Sequence, residues 1–408
     1  MPKINRQESS LLDRRDTESS AHPVPSAAHH TTEGLGNSTP TLVLITENSE
    51  IAGLRDDWHR LLPKDSAPFS TFEWVSAWYH SFEGKCDEIL IFVAVRDGRS
   101  IAILPCYRDG RKIRLAGDIT CDYQDLVAES QEDSLAAMNL IFDWLNTERP
   151  GSEFFFEKVS SRGFLMSALE EFSPDDSGVL LFRKNYMPCP CVTLPGSLEE
   201  YLLSIPRKPR SEFRRVVNRL EREMPDAAIE IWKGKDVVRG HLTKAANFHV
   251  KHFRKGGDSP LADPRLIAML HHIAGSEEVG LRVSVLRNGD SLMAVDFGFC
   301  RGGSFYGYLT DFDETYSHLS PGRCLFVKRI DHWIHEENIT TLDLLGGGEK
   351  YKKGYTGGEF YQVSTIRILP RNPLGRVRFT IIQLNRACRQ LAKKIISITS
   401  RIRKPKRG

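Results

Sequence analysis

Residues 283–295 read VSVLRNGDSLMAV, and residues 92–104 read FVAVRDGRSIAIL. Each stretch has β-forming residues on both sides of an Asn-Gly or Asp-Gly pair, the strongest short-range signal for a β-hairpin. Aligned on these pairs, the two stretches share three residue types: Arg96, Gly98 and Ser100 match Arg287, Gly289 and Ser291. The two stretches therefore predict two copies of one hairpin.

The likeness extends beyond the hairpins. Residues 108–118 correspond to residues 301–311, which gives each copy a third strand. A helix and another strand follow in both copies: 134–146 and 154–159 in the first, 321–337 and 340–345 in the second. Because the whole order of elements recurs, we predict a duplicated chain with antiparallel meanders at 89–118 and 281–311.

The segment before the first meander carries a strand signal and a helix signal. Residues 41–46 (TLVLIT) predict a first strand. Ser70 and Glu73 form a capping box, which predicts that a helix starts at Ser70. Phe69 and Trp74 stand where a hydrophobic staple would lie.

Between the two copies, five prolines break the chain into linker-like pieces: Pro188, Pro190, Pro195, Pro206 and Pro209. A helix is predicted from about Ser211, and much of its surface is arginine, including Arg214. This basic surface is either a solvated face or a lip over the site of an anionic donor or acceptor.

The composition is typical of a soluble globular protein of two to three domains, with 408 residues, 40% hydrophobic and 27% charged. Residues 1–40 are polar and lack periodicity, so we expect a disordered arm there. We see no secretory signal and no apolar run that would span a bilayer. The cysteines fit buried thiols of a reducing cytoplasm, and the pair Cys189 and Cys191 lacks a second pair for a metal site. We therefore expect a cytoplasmic protein without metal or DNA partners.

Charge is concentrated in the C-terminal tail. Residues 371–408 hold twelve Lys or Arg and no Asp or Glu, so the rest of the chain carries −9 against +3 for the whole. Its apolar residues alternate in spacing between four and three, which predicts one long helix with an apolar stripe: Val377, Ile381, Leu384, Cys388, Leu391, Ile395, Ile398 and Ile402. The stripe packs on its own acidic body, on an acidic helix of another protein, or on an anionic membrane. We favour salt-sensitive association of residues 375–408 with the membrane, at its inner face.

Residues 346–358 read GGGEKYKKGYTGG and follow the apolar stretch 339–345, which predicts a buried strand. Glycine is used where backbone must bend sharply or approach another group closely. The segment is therefore either a strand-end turn with solvated lysines or a loop built around a reacting group.

These features resemble a known family, because a three-stranded antiparallel meander, a helix and a strand form the centre of the GNAT acyltransferase fold. The second copy is similar to the CelD-like acetyltransferases found near bacterial cellulose and exopolysaccharide genes. It also resembles the Fem-type aminoacyl transferases of peptidoglycan synthesis, which carry two GNAT-like domains and a segment like KYKKGYTGG. The resemblance covers residues 190–365 well and 41–180 weakly. The motifs that carry it are the arginine-rich helix at 210–223, Phe248-His249, Phe253-Arg254-Lys255-Gly256, Leu309-Thr310-Asp311-Phe312-Asp313, Ser320-Pro321-Gly322, Asp343-Leu344-Leu345-Gly346-Gly347 and Tyr351-Lys352.

In a GNAT-like fold, the strands beside the third helix splay apart, and the acyl donor enters between them. The loop after the last of these strands faces the reacting carbonyl. The resemblance therefore implies that Lys352 stabilises the developing oxyanion and that Gly347 and Gly348 let backbone approach the substrate. Tyr351 and Tyr355 are candidates to protonate the leaving group or to contact substrate, with packing over the loop as the alternative.

The resemblance also implies a donor, acetyl-CoA, whose pyrophosphate would bind at the start of the third helix, at Ser320, Gly322 and Arg323. Ser320 is alternatively a plain N-cap, and the usual run of glycines is missing. In the first copy this helix opens with Glu132 and Asp133, whose carboxylates would repel phosphate. We therefore interpret the first copy as a non-catalytic domain that shapes the acceptor site.

The acceptor needs a base and a binding group. Asp313 and His249 are candidate bases for an acceptor amine or hydroxyl, with capping and structural roles as their alternatives. Arg214 is a candidate substrate-binding residue.

The sequence thus predicts an α+β protein with two tandem GNAT-like domains, each a mostly antiparallel twisted sheet flanked by helices, followed by a basic amphipathic helix. The predicted limits are 1–40 for the arm, 41–187 for a degenerate domain, 188–370 for the acyltransferase domain and 371–408 for the tail. The predicted activity is acyl transfer from acetyl-CoA to a sugar- or peptide-like acceptor in exopolysaccharide or cell-envelope synthesis. Aminoacyl transfer from tRNA and a non-catalytic scaffold role in a polysaccharide assembly are the alternatives.

Overall fold

The structure is a computed structural model that describes residues 38–173, 177–253, 258–347 and 349–402. Most of the predicted N-terminal arm therefore lies outside the described residues. So do four residues of the predicted motifs: Arg254, Lys255, Gly256 and Gly348.

The chain alternates strands and helices in two similar series. The first series is β1 (Thr41–Ile45), α1 (Arg55–Leu61), α2 (Phe72–Phe82), β2 (Glu88–Arg96), β3 (Arg99–Asp109), β4 (Lys112–Leu115), β5 (Val127–Ala128), α3 (Gln131–Glu148), β6 (Glu153–Ser160), α4 (Phe164–Glu171) and β7 (Val179–Thr193). The second series begins after α5 (Leu198–Ser204) and α6 (Arg207–Glu223). It comprises β8 (Ala227–Lys233), α7 (Leu242–His252), α8 (Pro264–Ile273), β9 (Leu281–Asn288), β10 (Ser291–Arg301), β11 (Ser304–Phe312), α9 (Pro321–Glu336), β12 (Thr341–Asp343), α10 (Lys350–Tyr355) and β13 (Phe360–Pro370), and α11 (Pro373–Ile402) follows.

The described strands join into one mixed sheet, in the order β1-β2-β3-β4-β6-β13-β7-β12-β11-β10-β9-β8, with β5 paired to β3. Read from either edge, this order is the same: an antiparallel run of four strands, then a strand parallel to the fourth. Both predicted meanders, β2-β3-β4 and β9-β10-β11, are confirmed. The chain is therefore a mixed α+β protein with two similar halves, as its repeated sequence predicts.

At the centre of the sheet the two halves exchange strands. β7, from the first half, pairs with β12 of the second, and β13, from the second half, pairs with β6 of the first. β7 and β13 also pair with each other along the whole of β13. Residues Thr39–Gly408 form one compact unit, and the predicted boundary at residue 187 falls inside β7. The division of 41–370 into two domains stays a prediction.

Helices cover both faces of the sheet. On one face, α1, α2, α7 and α8 enclose a core that runs across both halves and includes Trp74 and Phe299. On the other face, α3 and α4 cover the first half around Phe142, while α5, α6 and α9 cover the second half around Trp333. The shared core fixes the two halves to each other.

Two predicted helix starts are wrong. α2 is capped by Thr71, whose Oγ1 accepts from the Trp74 N–H at 3.2 Å, and not by Ser70. α6 begins at Arg207 rather than near Ser211. Its early start is possible because a proline in the first turn of a helix removes an N–H group that has no intrahelical partner.

The predicted linker around Pro188 and Pro190 is also wrong, because both residues lie inside β7. Proline removes one N–H from a strand but keeps its carbonyl. The Pro188 carbonyl accepts from the Gly347 N–H at 3.2 Å, and the Pro190 carbonyl accepts from the Leu344 N–H at 2.9 Å. The strand therefore continues through both prolines.

The predicted C-terminal helix is confirmed as α11, a helix of 30 residues. The side chains from residue 393 onward lie outside the description, including Ile395, Ile398 and Ile402. Among the described residues, no helix combines the length and the apolar composition that crossing a bilayer would require.

Candidate functional site

The two parallel strands of the second half splay apart. β11 and β12 pair for three residues only, and the last pair is Tyr306 with Asp343. β11 then continues to Phe312 beside β10, while the chain after β12 follows β7, where the Leu344 N–H donates to the Pro190 carbonyl. The splay therefore has its vertex at Asp343.

Asp343 is buried at this vertex and is hydrogen-bonded on both oxygens. Oδ2 accepts from the Tyr123 hydroxyl at 2.7 Å, and Oδ1 accepts from the Leu345 N–H at 2.7 Å. Burial raises the pKa of Asp343 to about 7, although the Tyr123 hydrogen bond and the Lys352 ammonium act in the opposite direction. A carboxylate with such a pKa is suited to accept a proton near neutral pH.

A cavity of about 470 Å³ borders Asp343. Side chains alternate between the two faces of a strand, and the neighbouring Leu342 packs with Trp333 of α9. Asp343 and the cavity therefore lie on the face opposite α9. Tyr123 and Tyr361 line the cavity, and so does Arg162, whose guanidinium lies over the Tyr361 ring at 3.2 Å from its centroid. The size and the mixed aromatic and polar lining are typical of a site for a small organic molecule.

A loop of the first half, residues 117–123, completes this site. Besides Tyr123, it supplies Asp122, whose Oδ2 accepts from the Gly346 N–H at 3.2 Å. The Tyr308 hydroxyl of β11 donates to the Thr120 carbonyl at 2.7 Å. The surroundings of Asp343 are thus built from both halves of the chain.

The glycine-rich segment is not an irregular loop, because residues 350–355 form α10. Lys352 has only 11% of its side chain exposed; its Nζ donates to the Gly346 carbonyl at 2.8 Å and lies 3.5 Å from Glu349. The interpretation as solvated lysines is therefore wrong for Lys352. A Cβ at Gly347 would lie 2.7 Å from Lys352 Nζ, and one at Gly346 would lie 2.5 Å from Met187 Sδ. Gly347 has φ 147°, a backbone conformation that residues with a side chain rarely adopt, so this position favours glycine.

The two predicted tyrosines differ in their surroundings. Tyr355 is buried between Phe213 and Phe326, with ring centroids 4.7 and 4.6 Å away, so it packs rather than facing a cavity. Tyr351 contacts the Tyr355 ring but keeps 38% of its surface exposed. Burial raises the pKa of Tyr351 above its usual range, so its hydroxyl holds its proton at neutral pH.

Neither predicted base lies at the vertex of the splay. His249 is buried in α7, and its Nδ1 is hydrogen-bonded to Ser259 Oγ at 2.9 Å, which is a structural arrangement. Asp313 follows the far end of β11 and caps the next turn, where Oδ1 accepts from the Thr315 N–H at 2.9 Å. The geometry therefore favours a structural role for His249 and a capping role for Asp313, which the sequence had left open as alternatives.

The start of α9 is poor in free N–H groups. Ser320 has φ 54° and makes no side-chain cap, so the predicted N-cap bond is absent. The N–H groups of Arg323 and Cys324 both donate to the Ser320 carbonyl, and Pro321 has none. Of the first helical residues, Gly322 keeps an N–H for a ligand. Backbone alone therefore offers little to a pyrophosphate.

Guanidinium groups surround this helix start instead. Glu212 of α6 accepts from Arg323 of α9 at 3.1 Å and from Arg215 at 2.7 Å. Arg219 donates to the His318 carbonyl, just before α9, at 2.8 Å. Three half-exposed cations thus flank the place where the resemblance puts the donor phosphates.

Arg214, the predicted substrate-binding residue, is not among them. Its side chain pairs with Glu199 of α5. Residues on a helix that are one position apart face different directions, so the neighbours Arg214 and Arg215 reach different sites.

Sequence reasoning missed Asp343 as a site residue, along with Tyr123, Arg162 and Tyr361. Asp343 left a signal, since it is the one carboxylate in the apolar stretch 339–345. Tyr123 left none, because its role depends on a contact between the two halves. Among the described residues, no group of three or more His, Cys, Asp or Glu is placed to hold a metal ion.

Residues 207–353 match the family model described as the acetyltransferase (GNAT) domain. No match to a curated protein sequence is found. The splayed pair β11–β12, the helix α9 and Asp343 all lie within the matched range. The CelD-like grouping stays a prediction.

Several solved structures have a similar fold. FemX has a TM-score of 0.54 at 12% identity, over 82% of this chain and 99% of its own. A conserved protein of unknown function from Bacteroides thetaiotaomicron gives 0.52 at 13% identity, over 80% and 100%. The C-terminal domain of a protein described as a lysylphosphatidylglycerol synthetase, from Agrobacterium fabrum, gives 0.50 at 14% identity, over 82% and 95%. The chain therefore has a GNAT-type acyltransferase fold, which supports a transferase.

Proposed function

We propose that this protein transfers an acyl group from a CoA thioester to an amine or hydroxyl of a sugar- or peptide-like acceptor. The observation that carries the proposal is the splay of β11 and β12, with buried Asp343 at its vertex and a cavity of about 470 Å³ beside it. The donor would enter the splay from the α9 side, and the acceptor would occupy the cavity on the other face. The two substrates would meet at Asp343.

Asp343, Lys352 and Tyr351 would each serve one step of the reaction. The acceptor nitrogen or oxygen attacks the thioester carbonyl carbon, and its proton passes to the Asp343 carboxylate. The Lys352 ammonium stabilises the negative charge that develops on the carbonyl oxygen. When the C–S bond breaks, the Tyr351 hydroxyl gives its proton to the leaving thiolate and regains one from solvent. Asp343 returns its proton to solvent through the cavity.

The donor is anionic, and the cations at the α9 start suit it. Arg215, Arg219 and Arg323 offer side-chain charge where the backbone offers few N–H groups. The same three cations would suit the phosphates at the acceptor end of a tRNA. Aminoacyl transfer from tRNA is therefore the second candidate, and it also accords with the likeness to FemX in fold.

The acceptor side favours a ring-bearing polar molecule. Tyr123, Tyr306 and Tyr361 present aromatic surface to the cavity, and Arg162 and Asp343 present charge. Aromatic rings stack on sugar rings and on apolar side chains alike, so both acceptor classes remain within the proposal. The resemblance to CelD-like enzymes supports a cytoplasmic role in exopolysaccharide or cell-envelope synthesis.

Thermal unfolding of the full chain with different ligands tests the proposal. A ligand that binds only the folded state stabilises it by about 2.7 kcal/mol at a hundredfold excess over its Kd. We expect acetyl-CoA and CoA to raise Tm. A rise with aminoacyl-tRNA but not with CoA would support the second candidate. No rise with either ligand would contradict the enzyme and favour the scaffold.

A further inference from the structure

The C-terminal helix α11 is fixed to the body of the protein by its first turns. Asn372 Nδ2 donates to the Pro150 carbonyl at 2.8 Å, just ahead of the helix. Arg378 donates to the Gly151 carbonyl at 3.0 Å and pairs with the nearly buried Glu153 at 3.1 Å. The helix therefore has a defined orientation on the body.

In the part of α11 whose side chains the structure describes, this attachment uses one side of the helix. Arg378 and Arg386 are eight residues apart and so lie on the same side, and the Arg386 guanidinium lies over the Phe182 ring at 5.3 Å. Phe379 and Ile382, next to this side, are partly covered. The arginines, rather than the apolar stripe, thus hold α11 against the body.

The described part of the apolar stripe faces away from the body. Its large members are exposed to 58%, 51%, 59% and 59%: Val377, Ile381, Leu384 and Leu391. Cys388, on the same stripe, is also exposed. Packing of the stripe on its own body, the simplest of the sequence interpretations, is therefore wrong for these residues. A row of exposed large apolar side chains marks an interaction surface.

The charge around the stripe argues against a second copy of this helix. Residues 371–408 contain twelve Lys or Arg and no Asp or Glu. A second copy of the helix would bring like charges together, since coiled-coil partners rely on opposite charges beside the stripe. An apolar stripe bordered by cations is typical of a helix that lies in the plane of an anionic bilayer, with the long cationic side chains reaching the headgroups.

We propose that α11 binds anionic membrane surfaces through the apolar stripe, lying in the interface. Apolar side chains would enter the headgroup and acyl boundary, and the lysines and arginines would bind lipid phosphates. The body stays attached by the opposite side of the helix. Membrane binding of this kind weakens as salt rises, because the electrostatic part is screened.

Sedimentation of the full chain with vesicles tests this proposal. We expect the protein to bind vesicles of phosphatidylcholine with phosphatidylglycerol and to stay free with phosphatidylcholine alone. Replacing two stripe residues, Ile381→Ser with Leu384→Ser, should lower the partition coefficient about 100-fold, because two buried apolar side chains are lost without a change of charge. Replacing two exposed residues off the stripe, Gln383→Ser with Asn385→Ser, is the matched control and should leave binding unchanged.

A charge variant isolates the electrostatic part. Arg376 is exposed, and Arg376→Gln should lower binding about fivefold, since a cation near an anionic surface contributes about 1 kcal/mol. Unfolding temperatures of all three variants should match that of the parent.

Several results would overturn the proposal. They are failure of the parent to bind anionic vesicles, equal binding of the stripe variant and its control, and equal binding to neutral vesicles. A concentration-dependent dimer that the stripe variant abolishes, without vesicle binding, would assign the stripe to a second copy instead. An environment-sensitive dye on Cys388 adds a direct readout, because its emission should shift to the blue only when the stripe enters the bilayer.

Discussion

The two halves of the sheet differ at the gap between their two parallel strands. In the first half, the gap beyond β4 is closed by the chain itself: the Gln124 N–H donates to the Lys158 carbonyl of β6 at 3.0 Å, and β5 pairs with β3. In the second half, β11 and β12 diverge from Asp343, which borders a cavity lined by residues of both halves. The gap is thus bridged by the chain in the first half and not in the second.

Two aspartates, the half-buried Asp125 and the buried Asp343, make the difference concrete. Burial raises the pKa of both Asp125 and Asp343 to about 7. Asp125 accepts from the N–H groups of Leu126, Phe164 and Leu165, so its oxygens hold the start of α4. Asp343 accepts from one N–H and one hydroxyl. Similar pKa values therefore occur in Asp125, which has a structural role, and in Asp343, for which a chemical role is proposed.

The comparison predicts its largest effect for these two aspartates. Asp343→Asn should lower kcat by about 10²–10⁴-fold, because a positioned general base is lost while side-chain volume is kept. Asp125→Asn should mainly lower the free energy of unfolding, by about 1–3 kcal/mol, because an amide has one oxygen for three N–H donors. Turnover and urea unfolding of both variants check this. Equal kcat in the parent and Asp343→Asn would remove Asp343 from the mechanism.

The next effect concerns Lys352. Lys352→Ala should lower kcat by about 10²–10³-fold, because the cation beside the developing oxyanion is lost. Lys353, the exposed neighbour on α10, is the matched control, and Lys353→Ala should keep parental turnover. Identical rates for the two alanine variants would show that the lysine of this segment only supports its fold.

A smaller effect is expected on the affinity for the donor, which should depend on the second half and not on the first. Gly322→Glu places a carboxylate at the start of α9, where it would repel phosphate, and a Cβ there meets only Phe312 at 3.8 Å. We expect donor affinity to fall about tenfold or more by calorimetry. The reciprocal change at the start of α3, Glu132→Gln, should leave it unaltered. If donor affinity were unchanged by Gly322→Glu but changed by Glu132→Gln, the donor phosphates would lie in the first half.

The smallest and most specific effect is expected on the pH dependence of kcat/KM. Asp343 must be ionised to act as a base, so kcat/KM should rise with pH and level off above about 7. Tyr123→Phe removes a hydrogen bond that favours the carboxylate, so the pKa of Asp343 should rise and the profile should move to higher pH by up to ~1 unit. An unchanged profile would mean that another group controls the rate.

The free energy of unfolding should change with pH in the direction opposite to that of kcat/KM. The pKa of Asp343 is raised from 3.8 to about 7 on folding, so the folded state holds its proton more tightly than the unfolded state. Its contribution is therefore complete below pH ~4 and is lost as pH rises through about 7. Asp343→Asn should flatten this part of the stability curve.

Local chemistry explains what the sequence could predict. The hairpins followed from turn residues, and both meanders are present. Lys352 followed from a resemblance of order and spacing, and it lies beside the vertex of the splay. These features are set by residues close together in the chain.

Long-range pairing explains what the sequence could not predict. Pro188 indicated a break, yet β7 continues through it because β12 and β13 hold it on both sides. The pKa of Asp343 is raised by burial, and its hydrogen-bond partner Tyr123 comes from the other half. His249 and Asp313 carried suitable chemistry but lie away from the splay. Residue type alone did not distinguish Asp343, the proposed base, from His249 and Asp313.

Hydrogen exchange with and without acetyl-CoA tests most directly whether the second half alone holds the donor. Donor binding in the splay should slow amide exchange in residues 307–323 and 344–347, on both sides of the gap. Exchange in residues 130–134, at the start of α3, should not change. Protection of 307–323 and 344–347 without 130–134 is the predicted result, and protection of 130–134, or of none of these residues at saturating acetyl-CoA, would contradict it.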